Sequence, residues 1–343
     1  MKIRSLVRLA ALLLCLAACA PAGSAATPAA PAPRQPVRLC TTSTSPLQMV
    51  TWYANDKGLF QKYGLEPEVT AISGAPNIAA ALLNHQVDFC QSAGTGVVNA
   101  VAGGADMVLV EGFYNKLLYA LVVGPNIHTA QDLVGQTIAV GTPQGLSDNA
   151  ARVALAHLGL QPDTQVTLRS FKDNDPALLA AAMLNGSIAG AMLVPPLSNQ
   201  FKADGLHVLL DLSTLDVYYQ RVGLGTTRSF IKDHRDIALA VVKANLEAIA
   251  LIKQDPAGAQ AVLADHLHLD PVAEANTLAD MYDLFGTRYL LSLPYPSPAA
   301  VQAVIDEAAA TNPDAARVTF ADVVDDSLLR EVADSGFLDT LPK

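Results

Sequence analysis

Hydroxyl and amide side chains recur in this chain at one kind of place, the polar end of a short apolar run just ahead of a helical pattern. Thr42 and Ser43 follow the run 37–41, Ser73 and Asn77 follow 65–72, Gln91 and Ser92 close 87–91, and Thr142 and Ser147 follow 137–140. Short hydroxyls can donate or accept without filling space, and a helix N-terminus beside them offers unpaired backbone N–H groups. That combination suits reversible capture of a small polar molecule. Phe113 and Tyr114, after the run 107–111, are the rings best placed to add an aromatic face. Tyr218 and Tyr219 fall near the same region, Trp52 reads as packing, and Asp148 reads as a partner of its own helix dipole.

Covalent and metal chemistry find less support. There is no G-x-S-x-G elbow and no H-E-x-x-H pair, and the loop 141–147 (GTPQGLS) lacks the Gly-Lys-Ser/Thr of a phosphate-binding P-loop. The seven histidines are dispersed, and His266 and His268 have no carboxylate-rich partner in sequence, so neither metal nor cofactor is expected. Cys40 and Cys90 each stand two residues before a polar strand end. Two buried small hydrophobes are the favoured reading over a disulfide, because adjacent parallel strands rarely offer the geometry of a bridge. A net charge of −10 argues against nucleic acid and against adhesion to anionic lipid.

The elements that would position these groups alternate strand-like runs with helical patterns, the signature of an α/β fold with largely parallel sheets. Strands are expected at 37–41, 65–72, 87–91, 107–111, 117–123, 137–140, 165–170, 189–194, 208–212 and 220–226, and from residue 229 onward the pattern is almost wholly helical. Ser45 followed by Pro46 marks a helix start, and Gly58 a helix stop that tolerates positive φ. This order implies a first lobe over 37–123, a second over 124–220, and a return to the first lobe with C-terminal helices over 221–343. Joints near 122–125 and 221–227 would form a two-segment hinge. Hydrophobic residues make up 51% of the chain, enough for sizeable cores.

Ahead of these lobes lies a different kind of sequence. Lys2, Arg4 and Arg8 precede the apolar run 9–18, which has the layout of a secretory signal and is short for a membrane span. It ends in Leu16-Ala17-Ala18-Cys19, which resembles the bacterial lipobox and implies lipid attachment at Cys19 after removal of residues 1–18. Residues 19–36 are rich in Ala and Pro, cannot bury a core, and read as an extended tether reaching up to roughly 50 Å.

Tyr53 to Phe60 (YANDKGLF) with Tyr63-Gly64-Leu65 resembles the A-x-x-x-G-[LY]-F-x-x-x-G-L signature of the SsuA-like binding proteins for nitrate, sulfonates, taurine and thiamine-related pyrimidines. The similarity continues through Ala80 to Asn84, Val87 to Phe89 and Leu133 to Val140. The resemblance implies a type II periplasmic-binding-protein fold, with the solute held between two α/β lobes and no catalysis. It also implies a monomeric, extracytoplasmic carrier, anchored to a bacterial membrane by lipid, that serves ABC permease and ATPase subunits. Two alternatives share the fold. A sensory ectodomain would use the same cleft, and the fungal thiamine-pyrimidine synthases carry a CCCFC motif that is absent here.

Overall fold

Among the described residues, ten strands form two sheets of five. In chain order they are β1 (Gln35–Thr41), β2 (Leu65–Ala71), β3 (Phe89–Ser92), β4 (Met107–Lys116), β5 (Ala120–Val123), β6 (Thr137–Val140), β7 (Thr167–Ser170), β8 (Gly190–Leu193), β9 (His207–Asp211) and β10 (Tyr218–Thr227). The computed structural model describes residues 33–141, 143, 145–171, 175–194 and 205–342. The expected signal segment 1–18, the lipidation candidate Cys19, the tether as far as residue 32, and Thr142 lie outside them.

The first sheet has the order β2-β1-β3-β10-β4, and the second β7-β6-β8-β5-β9. In the first, β1 runs parallel to β2 and β3, while β10 is antiparallel to β3 and β4. In the second, β6 is parallel to β7 and β8, and β5 is antiparallel to β8 and β9. Both sheets are therefore mixed, each with one returning strand near its middle. Helices cover the faces, so β3, β5 and β8 are buried along their whole length, and β5 and β8 read in sequence as apolar runs instead of alternating ones.

Helix Arg235–Gln254 lays one stripe, including Val241, Val242, Leu246 and Ile249, on the first lobe's core with Phe60, Phe89 and Phe113. Pro46 opens a 3₁₀ turn that leads into helix Met49–Asp56, and Ser45 caps it by accepting from the Leu47 N–H. Gly58, at φ 68°, makes the left-handed turn after that helix, as its position implied.

Four expectations change. The strand expected at 107–111 runs on to Lys116, because β10 supplies a ten-residue antiparallel partner that pairs Val222 with Tyr114 and Tyr218 with Lys116. The apolar run 117–123, assigned to the end of the first lobe, instead contributes β5 to the second sheet, between β8 and β9. The crossings between sheets thus fall at 117–119 and 215–217, not at 122–125 and 221–227, and the two crossing segments touch. The Leu117 N–H donates to the Val217 carbonyl at 3.5 Å, and Lys116 Nζ donates to the Leu215 carbonyl at 2.6 Å. Gln35 and Pro36, assigned to the tether, open β1.

The fourth change concerns the cysteines. Cys40 and Cys90 are direct register partners on β1 and β3, fully buried, and joined by a disulfide. Their Cα atoms are 4.4 Å apart, at the short end of the span that a bridge accepts, so the parallel pairing brings both Cβ atoms within reach on one face.

Candidate functional site

The carboxyl ends of β1, β2 and β3 gather the hydroxyls singled out in the sequence. Thr42, Ser43 and Ser73 line one opening of about 360 Å³, together with Trp52, Asn55 and His266. Thr42 and Ser92 line a second, smaller one of about 150 Å³ that reaches between the helices Ala75–Leu83 and Gly94–Ala102. Thr42 borders both. Its N–H donates to Gln48 Oε1 and its Oγ1 accepts from Gln48 Nε2, each at 3.3 Å, so the side chain of the following helix start holds this strand end in place. Ser43 is exposed and Ser73 is exposed, with the Ser73 carbonyl accepting from Asn77 Nδ2 at 2.9 Å. Asn77 thus ties down its own turn and lines neither opening.

Ser92 is 4% exposed, and its Oγ has no hydrogen-bond partner among the described residues. A buried hydroxyl without a partner is uncommon and costs free energy in the unliganded protein.

Other expected residues serve the scaffold. Gln91 is wholly buried; its Oε1 accepts from the Thr51 N–H and hydroxyl, and its Nε2 donates to the Leu47 carbonyl, so the side chain pins the first helix to β3. Phe113 and Tyr114 sit inside β4, not after it, at 0% exposure, and the Tyr114 hydroxyl donates to the Phe285 carbonyl at 2.9 Å. Burial leaves them no face to offer a solute. Ser147 Oγ accepts from the Gly141 N–H at 2.8 Å.

Two features were not legible from spacing. His266 does have carboxylate neighbours: its Nε2 lies 2.9 Å from Asp56 Oδ2, and Asp265 completes a cluster whose candidate ligand atoms all fall within 4.8 Å. Asp56 stands 210 positions away in sequence, so only folding brings it there. The ring of His266 stacks on Trp52 at 4.5 Å between centroids, which places Trp52 at the rim of the larger opening as well as in the core.

The second feature joins the lobes. A cavity of about 480 Å³ lies beside the crossing segments, with Asp148, Asn149 and Arg152 on the second-lobe side and Tyr218, Tyr219 and Glu307 on the other. Arg152 pairs with Asp148 and Asp163, and the Tyr219 hydroxyl donates to Glu307 Oε2. Burial raises the Glu307 carboxyl above its usual range, opposed by the Tyr219 hydrogen bond. A solute here would meet charge from both lobes, whereas the strand-end openings offer chiefly hydroxyls and rings.

Deep in the first lobe, away from these openings, Glu111 on β4 is wholly buried and, among the described residues, has one hydrogen-bond partner, Asn245 Nδ2, at 2.6 Å. Burial pushes its carboxyl up to about 8 despite that hydrogen bond.

Comparison with known proteins agrees with this architecture. The aliphatic sulphonate binding protein SsuA of Escherichia coli superposes with a TM-score of 0.65 at 19% identity, over 86% of this chain and 99% of that one. The nitrate-binding protein NrtA of Synechocystis PCC 6803 gives 0.64 at 15% identity, over 90% and 91%. A cysteine-to-serine mutant of DSZB in complex with biphenyl-2-sulfinic acid gives 0.65 at 14% identity, over 88% and 99%. At such identities the likeness is one of fold, the two-lobed periplasmic-binding-protein architecture. No curated protein sequence matches the chain. The family model described as NMT1/THI5 like matches residues 46–259, taking in most of both lobes and the 53–65 signature. On that match this chain belongs to the NMT1/THI5-like family.

Proposed function

We propose that this protein is the solute-binding subunit of an ABC-type importer, a monomer held outside the cytoplasm on a bacterial membrane by a lipid on Cys19. The observation that carries the reading is the double crossing between sheets. Two short segments, 117–119 and 215–217, are the connections between the lobes, and hydroxyl-bearing strand ends of the first lobe line openings a small molecule can enter. Such a joint permits closure about a hinge. The names of the sulphonate- and nitrate-binding neighbours favour a small solute, and the apolar run ending at Cys19 favours export and anchoring.

Catalysis on the same fold is the second reading, since one structural neighbour is a cysteine-to-serine mutant in complex with a sulfinic acid. Among the described residues both cysteines are bonded to each other, so neither offers a free thiol, and this favours binding over nucleophilic chemistry.

The test is a thermal-shift screen of sulfonates, nitrate, taurine and pyrimidines, followed by small-angle scattering on any hit. A solute at 100 times its Kd stabilises by about 2.7 kcal/mol. Compaction on binding is expected; a bound solute without compaction, or turnover of it, sinks the importer reading. For the anchor, mass spectrometry of the mature protein should find a lipid-modified Cys19, and Cys19→Ala should abolish it. An unmodified N-terminus beyond Cys19 removes the anchor from the proposal.

A further inference from the structure

Within the solute-binding reading just given, we infer that the pocket beneath Ser92 seats an uncharged, ring-sized apolar group that carries one hydrogen-bonding heteroatom. Size comes first. The pocket holds about 150 Å³, the scale at which an apolar protein cavity accepts benzene. Small residues make the room. Gly96 faces Ala75 so closely that a Cβ on it would come within 3.2 Å of the Ala75 methyl, and larger side chains there would close the gap between the two helices. Ile78, Val97 and Met107 supply the apolar lining.

Charge decides the chemical class. The lining carries no ionisable side chain; its polar side chains are Thr42 and Ser92. An anion in this space would find no side-chain cation, only the backbone N–H groups at the start of helix Gly94–Ala102, whereas a neutral group keeps no hydration that must be replaced. The Ser92 hydroxyl then supplies direction. It is buried and unpartnered, so a ligand heteroatom placed against it would gain a hydrogen bond that the unliganded protein lacks. Thr42 lines this pocket and the larger opening alike, so the rest of the solute can continue outward past Thr42 toward Ser43 and Ser73. The seated group is therefore the buried end of the solute, and whatever charge the solute bears lies at its other end.

Phenol and benzene separate these claims, measured by titration calorimetry on the mature protein. Both should bind the wild type. Ser92→Ala should weaken phenol by about fivefold, the worth of one hydrogen bond, and leave benzene unchanged. Its unliganded melting temperature should not fall, because the hydroxyl removed has no partner. Ala75→Leu, at an exposed position on the pocket wall, should weaken both probes at least tenfold. The inference is overturned if neither probe binds the wild type, if Ser92→Ala binds phenol as tightly as before, or if Ala75→Leu affects neither. A solute that compacts the protein and binds both variants normally would also end it, while leaving the importer reading intact. Phenol and benzene behaving as expected with no solute able to close the lobes would be the reverse outcome.

Discussion

Opening the Cys40–Cys90 bridge is the perturbation whose size follows most directly from the fold. The bridge spans 50 positions of sequence, and in the unfolded chain it forbids every conformation in which those ends part. The loop-entropy relation puts that restriction at roughly 4 kcal/mol. Reduction costs little in the folded state. Both sulfurs stay buried, and β1 and β3 remain paired at Leu39–Phe89, Cys40–Cys90 and Thr41–Gln91. The loss should therefore appear almost wholly as lowered stability, on the order of 10 °C in melting temperature for a domain of this size. The assay is thermal unfolding of the wild type and of the Cys40→Ala/Cys90→Ala double variant, each with and without dithiothreitol. The wild type should fall on reduction and the double variant should not respond. The double variant should sit below the reduced wild type by about 1–2 kcal/mol, for the lost sulfur packing. A wild type whose midpoint ignores the reductant, with both peptides recovered as free thiols under non-reducing digestion, would refute the bridge and the entropy argument together.

Two further perturbations reach the buried polar groups. Glu111 is held at about 8 when folded against 4.5 as a free side chain, so the folded state favours its protonated form. The stabilisation is complete below the unfolded value and fades as pH rises toward the folded one, by about 1.4 kcal/mol per pH unit between roughly 5 and 8. Glu111→Gln should remove that slope in urea midpoints and leave the variant the more stable at pH 8; identical slopes would show that the carboxyl titrates normally. Gln91→Leu should cost about 2–4 kcal/mol, because the Thr51 hydroxyl and the Leu47 carbonyl lose a buried partner, while solute affinity stays unchanged. Lost affinity at normal stability would instead return Gln91 to the site.

Much of the fold was legible because its signals are local. Ser45-Pro46, Gly58 and the apolar runs act through backbone conformations available to a few residues at a time, and each lies at an element of the suggested kind, though the strands from 107 and 117 have other bounds. The strand-end placement of Thr42, Ser43, Ser73 and Ser92 was legible for the same reason, since strand ends ahead of helices can be read from adjacent sequence. What misled was any residue whose role depends on a distant partner. Phe113 and Tyr114 look like a strand end until β10, a hundred residues later, arrives to extend β4 past them. Gln91 looks like a cleft amide until Thr51 and Leu47 are placed against it. His266 looks isolated until Asp56 is folded beside it, and the cysteines look like core thiols until register sets them face to face. Sequence alone determined that there are two α/β lobes with polar strand ends, because propensity and hydrophobic period are properties of short segments. Only the tertiary structure decided which of those polar groups are taken up by protein partners, because hydrogen bonds and burial are shared with residues that chain order does not bring near.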